Sequence, residues 1–285
     1  MIRRMAGLTA LAAVLVGGTA LAQEIGPKNG SLVIVGGGGV GSEIWDRFLE
    51  LAGGPDAPIV VIPTAGGAEE YDQDWRGLGG LRGAGATNLT VLHTNDREIA
   101  SSDEFVEPIR RAGGVWFGGG RQWRLADSYL ATKTHEELWA VLERGGVIGG
   151  SSAGATIQGS YLARGDTETN TIMMGDHEVG LGFVKDVAID QHLLARNRPF
   201  DLLEITAARP ELLGIGIDES TAIVVQGDEF EVIGESYVVI YDNRVKIDSG
   251  GDFYFLRAGD RFNLATREGY RGEQRVERVV ERQGR

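Results

Sequence analysis

Short apolar runs alternate with amphipathic segments through the first half of the chain. The runs at residues 31–35, 58–62, 89–92, 114–117 and 146–148 are apolar on both faces, which is typical of parallel strands buried between helices. Amphipathic stretches at 42–52, 69–78 and 102–112, and two more within 122–144, predict the connecting helices. This alternation predicts a parallel sheet covered on both sides.

The last third of the chain has a different pattern. Apolar runs at 213–217, 222–225, 230–233 and 237–241 are closely spaced and separated by turn residues, which indicates antiparallel strands. We therefore predict an α/β fold, a three-layer sandwich with a mostly parallel central sheet and antiparallel C-terminal strands appended to that sheet or packed on its edge. Residues 23–267 are interpreted as one domain, and the charged segment 268–285 as a terminal helix or tail.

The first residues predict export. A basic start with Arg3 and Arg4 precedes a mostly apolar run at 6–16, and Ala20-Leu21-Ala22 forms a small-x-small cleavage site before Gln23. This is the pattern of a secretory signal peptide over residues 1–22. The rest of the chain has no apolar stretch near the roughly 18 residues of a membrane span, so we expect a mature protein without one, in the periplasm or outside the cell.

The charge and the lack of cysteine narrow the function classes. Removing residues 1–22 would take away two arginines and no acids, which changes the net charge from −13 to −15. An acidic protein repels nucleic acid, so no nucleic-acid partner is expected. With no cysteine there is no disulfide framework, no thiolate metal site and no cysteine nucleophile. The histidines and acids show no metal-ligand spacing, so no metal and no cofactor are expected.

A nucleophile elbow is the first candidate for chemistry. Residues 150–154 read G-x-S-x-G directly after an apolar run, with Ser152 at the centre. In such an elbow the serine sits on a sharp turn from strand to helix, and small neighbours leave room for the turn. Because the chain has 44 glycines, this five-residue pattern could arise by chance. It indicates a nucleophile only if a base and an orienting acid are found elsewhere in the chain.

A serine nucleophile needs a base, and the base needs an orienting group. Of the four histidines, His192 follows the apolar run 187–189, which places it at the carboxyl edge of the sheet where sites form. The acidic pair Asp218-Glu219 closes the run 213–217 in the same way. From the residues alone, His192 and this pair could equally be ordinary polar residues at strand ends.

Four segments then form a specific combination. They are FGGGRQ at 117–122, GSSAGA at 150–155, DQH at 190–192 and GIDESTA at 216–222. Together they resemble the cyanophycinase branch of the S51 serine peptidases, over roughly residues 31 to 241. The family's elbow GTSAGA is matched with Ser151 in place of threonine, its DQH-x-x-x-R-x-R segment matches 190–198, and its GIDE-x-TA segment matches 216–222. The resemblance implies a flavodoxin-like, class I glutamine amidotransferase-like fold and suggests a homodimer.

The resemblance assigns the catalytic roles. It implies that Ser152 is the nucleophile, His192 the base and Glu219 its orienting acid. This order of serine, histidine and acid differs from that of α/β-hydrolases, so the elbow is not that of a lipase. The oxyanion donors are expected to be the N–H of Ala153 and an N–H of the loop Gly119-Gly120, although that loop could also be only a tight turn.

The resemblance also implies a substrate. It implies an exopeptidase that forms an acyl-enzyme and acts on cyanophycin, releasing β-Asp-Arg dipeptides, or on β-aspartyl and aspartyl dipeptides. Four residues match family positions that line the substrate pocket: Gln122, Gln191, Arg196 and Arg198. The arginines suit capture of a carboxylate but could instead form salt bridges on a solvated helix. Arg121 stands where the family commonly has aspartate, which reverses the local charge and favours an acidic dipeptide.

Two other functions compete with a peptidase. Gly36, Gly38 and Gly41 fit the G-x-G-x-x-G fingerprint of a dinucleotide-binding oxidoreductase. That fingerprint needs an acid after the next strand, where this chain has Pro63-Thr64-Ala65. The other alternative is a catalytically inactive binding protein on the same fold.

Overall fold

The computed structural model describes residues 24–244 and 251–271. In chain order its strands are β1 Ser31–Val35, β2 Ile59–Ile62, β3 Leu89–Val91, β4 Gly114–Phe117, β5 Val147–Ser151, β6 Gly159–Tyr161, β7 Val184–Gln191, β8 Leu213–Ile217, β9 Thr221–Gln226, β10 Glu229–Gly234, β11 Tyr237–Tyr241, β12 Tyr254–Arg257, β13 Asp260–Asn263 and β14 Glu268–Arg271. The α-helices are α1 Ser42–Ala52, α2 Gly79–Gly83, α3 Arg97–Ala100, α4 Asp103–Arg111, α5 Gln122–Tyr129, α6 Lys133–Glu143, α7 Ala153–Thr156 and α8 Leu202–Ala208. Short 3₁₀ turns span Thr64–Gly66 and Arg76–Leu78.

A mixed sheet forms the centre of the molecule. Its strand order is β14-β13-β10-β9-β1-β5-β4-β2-β3. The five strands from β1 to β3 in this order are parallel, and β9, β10, β13 and β14 extend the sheet by antiparallel pairing. The predicted α/β class, with a mostly parallel sheet and appended antiparallel C-terminal strands, is confirmed.

A second sheet was not foreseen from the sequence. Its order is β12-β11-β8-β7-β6, and β6, β7 and β8 are parallel to one another. The runs at 213–217 and 237–241, expected to be appended to the central sheet or packed on its edge, belong instead to this second sheet, where β8 pairs antiparallel with β11 as expected but parallel with β7. A run that is apolar on both faces fits either pairing, and the long-range contact with β7 decides which one forms.

The two sheets share one core. One face of the central sheet packs on α1, through Ile44 and Phe48. Its other face packs partly on α4 to α6 and partly on the second sheet, so that Ile34 and Ile148 belong to the same buried cluster as Ile189. The outer face of the second sheet is covered by α8. The sandwich therefore has three layers over the parallel strands and an added sheet beside them.

Several local expectations have different outcomes. Residues 69–78 do not form the predicted helix, because the segment turns through Asp72 and Asp74 and becomes regular only at Arg76. Residues 268–271 form β14 where a tail or helix was expected, and 272–285 lie outside the described residues. The predicted signal peptide also lies outside them. Over residues 24–244 and 251–271, no helix combines the length and apolarity needed to cross a membrane.

Candidate active site

Ser152 occupies a sharp turn between β5 and α7. Its φ of 59° and ψ of −114° form a backbone conformation that L-residues rarely adopt. The turn is held by the Ser152 N–H, which donates to the Val35 carbonyl at 3.0 Å. Ser152 is half-buried, so its hydroxyl stands at the carboxyl edge of the central sheet and remains reachable.

Two glycines make this turn possible. A Cβ on Gly150 would lie 2.3 Å from the Gly154 carbonyl oxygen, and one on Gly154 would lie 2.4 Å from the Phe117 carbonyl oxygen. Contacts this short do not occur in folded proteins, so both positions need glycine. The small residues of the G-x-S-x-G pattern are therefore required by packing at this turn.

His192 lies at the end of a strand of the second sheet. It follows β7 directly, and its N–H donates to the Gly36 carbonyl at 2.8 Å. Its Nε2 lies 2.8 Å from the Ser152 Oγ, within hydrogen-bond distance. The residue is 5% exposed, so solvent does not compete strongly for the ring.

Glu219 completes the row of three groups. It follows β8, which pairs in parallel with β7, so His192 and Glu219 project from neighbouring strand ends. The Glu219 Oε1 lies 2.5 Å from the His192 Nδ1. This contact favours the tautomer in which Nδ1–H donates to Glu219 and Nε2 is free to accept the serine proton.

Asp218 supports the histidine loop and faces away from its ring. Its Oδ1 accepts the N–H groups of Leu194 and Ala195, both at 2.9 Å, and its Oδ2 accepts the Ser236 hydroxyl at 2.6 Å. Burial acts to raise the pKa of Asp218, but these hydrogen bonds to the carboxylate outweigh it and hold the pKa below its ordinary value. Of the acidic pair, Glu219 therefore contacts His192, whereas Asp218 binds the backbone of the loop that follows His192.

The electrostatics at His192 favour the neutral imidazole. Burial lowers the pKa of His192 below its ordinary 6.5, and the positive charges of Arg196 and Arg198 act in the same direction. The hydrogen bond and charge of Glu219 oppose this shift without cancelling it. A histidine that is neutral at mildly acidic pH can accept a proton from Ser152.

The predicted oxyanion donors lie beside the serine. Within the described residues, the N–H groups of Ala153 and Gly119 donate no backbone hydrogen bond, and Ala153 is the first residue of α7. A Cβ on Gly119 would lie 3.4 Å from the Ser152 Cβ, so this backbone passes close to the nucleophile. The Gly120 N–H donates no backbone hydrogen bond within the described residues either, and the Gly120 backbone passes so close to Ala65 that an added Cβ would lie 2.0 Å from the Ala65 carbonyl oxygen.

Arg121 and Gln122 contact the loop that follows β6. The Arg121 guanidinium donates to the Asp166 carbonyl at 2.5 Å. The Gln122 amide donates to the carbonyls of Ala163 and Arg164 at 2.7 and 2.9 Å, and the residue is 1% exposed. The Nε2 group of Gln122 is therefore occupied by the backbone of this loop, and a contact of its side chain with substrate stays a prediction.

The two arginines after His192 differ in their surroundings. Arg198 is buried and donates to both the backbone and the side-chain oxygens of Gln191 at 3.1 Å. Gln191 is itself 4% exposed, so these two side chains are mostly enclosed and bind each other, and their contact with substrate stays a prediction. Arg196 is exposed, and among the described residues neither arginine has a carboxylate within salt-bridge distance. The Arg196 guanidinium is thus exposed and has no carboxylate partner among the described residues.

A buried ion cluster beneath the histidine was missed by the sequence reasoning. Arg164 is 2% exposed and binds both oxygens of Asp190, at 2.7 and 3.0 Å, and also contacts Asp201. Asp190 precedes Gln191-His192 at the end of β7, so the cluster fixes the strand end that carries the base. Asp190 belongs to a matched motif, but no local pattern pairs it with an arginine 26 residues away.

The glycine loop after β1 does not form an open phosphate cradle. A Cβ on Gly37 would lie 2.2 Å from the His192 ring, and one on Gly38 would lie 2.7 Å from the Glu219 carboxylate. The His192 ring and the Glu219 carboxylate therefore occupy the space beside these glycines that a bound pyrophosphate would need. The remaining histidines make contacts elsewhere: His93 with Thr64, His135 with the Leu181 carbonyl and His177 with Asp127.

Known proteins resemble this chain over most of its length. The model of peptidase family S51 matches residues 32–233. A cyanophycinase of Geminocystis herdmanii is 34% identical over 259 residues, covering 84% of this chain and 95% of that protein. A cyanophycinase of Synechococcus elongatus is 32% identical over 250 residues, covering 80% and 76% of the two chains.

The fold has a counterpart among solved structures. A peptidase from an acI-B1 Actinobacterium superposes with a TM-score of 0.63 at 27% identity, covering 84% of this chain and 98% of that one. All four segments singled out in the sequence lie within the matched region.

Proposed function

This chain belongs to peptidase family S51 and is a serine peptidase, and we propose that it is an exported exopeptidase that cleaves aspartyl amide bonds through an acyl-enzyme. The observation that carries the proposal is the continuous row from the Ser152 Oγ to the His192 Nε2, at 2.8 Å, and from the His192 Nδ1 to the Glu219 Oε1, at 2.5 Å.

The geometry supports acylation by ordinary serine chemistry. His192 Nε2 takes the hydroxyl proton of Ser152 as the Oγ attacks the substrate carbonyl carbon. The oxygen of the tetrahedral intermediate would accept hydrogen bonds from the free N–H groups of Ala153 and Gly119. His192 then gives its proton to the leaving nitrogen as the C–N bond breaks, which leaves an ester on Ser152.

Deacylation reverses the roles. A water molecule enters where the amine left, and His192 takes one of its protons as the oxygen attacks the ester. Return of that proton to the Ser152 Oγ releases the carboxylic acid and restores the enzyme. Glu219 keeps Nδ1 protonated throughout and stabilises the imidazolium that forms in each half-reaction.

The proposed substrate is cyanophycin or a small β-aspartyl peptide. The relatives named cyanophycinase support this class, and the exposed Arg196 beside His192 suits a substrate carboxylate. Arg121, which replaces a common aspartate, places a second cation near the oxyanion loop and favours acidic dipeptides. The two substrates therefore have to be compared directly.

A product assay tests the proposal. The mature protein and Ser152→Ala are incubated with cyanophycin and, separately, with β-Asp-Arg, β-Asp-Asp and Asp-Xaa dipeptides, and the products are identified by mass spectrometry. We expect Ser152-dependent release of dipeptides from cyanophycin. Cleavage of the acidic dipeptides without cyanophycin cleavage would overturn the polymer substrate. Equal products from Ser152→Ala would overturn the mechanism.

Export is part of the proposal and rests on residues 1–22 alone. When a bacterium expresses the full chain, we expect the protein to be exported from the cytoplasm and cleaved, so that its first residue is Gln23. N-terminal sequencing of the protein from the periplasm and the medium checks this. Recovery of the uncleaved chain in the cytoplasm alone would contradict it.

A further inference from the structure

Two glycines of the loop Gly36–Gly39, which follows β1, lie against the catalytic centre: Gly37 beside His192 and Gly38 beside Glu219. Gly36 and Gly37 are buried, whereas Gly38 and Gly39 are exposed. Gly37 has a φ of 122° and Gly38 a φ of 65°, which are conformations that favour glycine. The sequence accounts for this loop only as a dinucleotide fingerprint or as a tight turn, and neither explains its position beside the histidine and the acid.

The backbone of this loop is hydrogen-bonded to the segments that carry both groups. The Gly36 carbonyl accepts the His192 N–H at 2.8 Å, and the Gly37 carbonyl accepts the Ser220 N–H at 3.0 Å. His192 and Ser220 themselves have positive φ values of 55° and 53°. One loop therefore holds two strained turns, one containing the base and the other next to the acid.

The loop also limits the space around the two side chains. A Cβ on Gly37 would lie 2.2 Å from the His192 Cε1, 2.6 Å from its Nδ1 and 2.7 Å from its Nε2. A Cβ on Gly38 would lie 2.7 Å from the Glu219 Oε2 and 2.8 Å from its Cβ. The bare backbone thus lies against the imidazole and the carboxylate, where any side chain would displace them.

We propose that Gly37 and Gly38 are positioning residues that fix the His192 ring and the Glu219 carboxylate in line with Ser152. The inference rests on the proposed function, because it assumes that this row of groups performs the chemistry. It assigns the glycine loop to the base and the acid and not to a nucleotide.

The test is Gly37→Ala with two matched controls. Gly39→Ala adds a methyl group to the same loop where nothing lies within 4 Å. Gly54→Ala adds one at a φ of 104°, also with nothing within 4 Å, and so reproduces the backbone strain away from the site. For each full-length variant, the folded fraction is measured by circular dichroism. The rate constant for Ser152 labelling by a fluorophosphonate is measured across pH on the folded protein.

We expect Gly37→Ala to be labelled about 100-fold more slowly than the wild type, since a displacement of the ring by about 1 Å costs roughly that factor. We also expect the acid limb of its pH profile to move to lower pH, because a ring pushed away from Glu219 loses the partner that favours its charged form. Gly39→Ala and Gly54→Ala should be labelled within twofold of the wild type. Gly38→Ala, which contacts only Glu219, should be about tenfold slower and serves as the test if Gly37→Ala does not fold.

A labelling rate for Gly37→Ala within twofold of the wild type would overturn the inference. So would a loss that only matches the folded fraction, with the acid limb unchanged, since that is the result of a purely structural role. Failure of the proposed function looks different, because the wild type itself would then show no labelling at Ser152.

Discussion

Three residues of the catalytic row and its neighbourhood have a strained backbone. Ser152, His192 and Ser220 all have φ values between 53° and 59°. Each such residue costs on the order of 1–3 kcal/mol and persists only when its surroundings hold it in place. Here those surroundings are backbone hydrogen bonds from the ends of neighbouring strands and from the glycine loop.

Glu219→Gln tests the role of the acid. An amide at this position no longer enforces the Nδ1–H tautomer, so we expect the labelling rate and the hydrolysis rate to fall by roughly 10³- to 10⁴-fold. Glu235→Gln, which removes the same charge from an exposed neighbour, is the control and should keep the wild-type rate. Comparable rates for the two variants would show that Glu219 does not orient His192.

The pH profile tests the state of the base. Because burial lowers the pKa of His192, the neutral imidazole persists below pH 6.5, and activity should be lost only as the pH falls through that lowered pKa. Arg196→Gln removes a positive charge that lowers this pKa and should move the acid limb to higher pH. An acid limb above pH 6.5 in the wild-type labelling profile would contradict this assignment.

At the scale of elements, the elbow depends on how closely α7 approaches β4. Gly154→Ala would place a Cβ 2.4 Å from the Phe117 carbonyl oxygen, so we expect a loss of about 1–3 kcal/mol in unfolding free energy and slower labelling. Gly83→Ala is the matched control. It lies in α2 with nothing within 4 Å and should stabilise the protein by up to about 1 kcal/mol. Urea unfolding of both variants measures the difference, and equal effects would contradict the packing argument.

The elements that the sequence predicted well are those with a strong local signal. The five parallel strands and the elbow stand out because they combine apolar runs with glycine at fixed places. The second sheet could not be predicted, since β6 has only three residues and the partner of β8 is set by contacts far along the chain. The helix expected at 69–78 failed because tertiary contacts outweigh a weak periodicity there.

The same distinction holds within the candidate site. Ser152, His192 and Glu219 could be proposed because they belong to segments with a recognisable order. The enclosed amide of Gln122 and the pairing of Gln191 with Arg198 could not be foreseen, since burial is a property of the folded chain. The same is true of the glycine loop, whose positive φ values and neighbours depend on two other strand ends.

At the scale of the whole molecule, the site exists only where the two sheets meet. Ser152 comes from the central sheet, whereas His192 and Glu219 come from the second sheet. One buried apolar cluster contains residues of both sheets, including Ile148 and Ile189, and this packing fixes the position of one sheet relative to the other. The chemistry therefore depends on the docking of two sheets, which no single motif in the chain encodes.

We infer that Ser152 is the nucleophile of this assembled site. The most direct test is fluorophosphonate labelling followed by intact-mass measurement and peptide mapping. We expect one adduct per chain, located at Ser152. It should be absent in Ser152→Ala, form much more slowly in His192→Ala and form at the wild-type rate in the neighbouring control Ser151→Ala. Labelling of Ser152→Ala at the wild-type rate, or an adduct located at another residue, would contradict it.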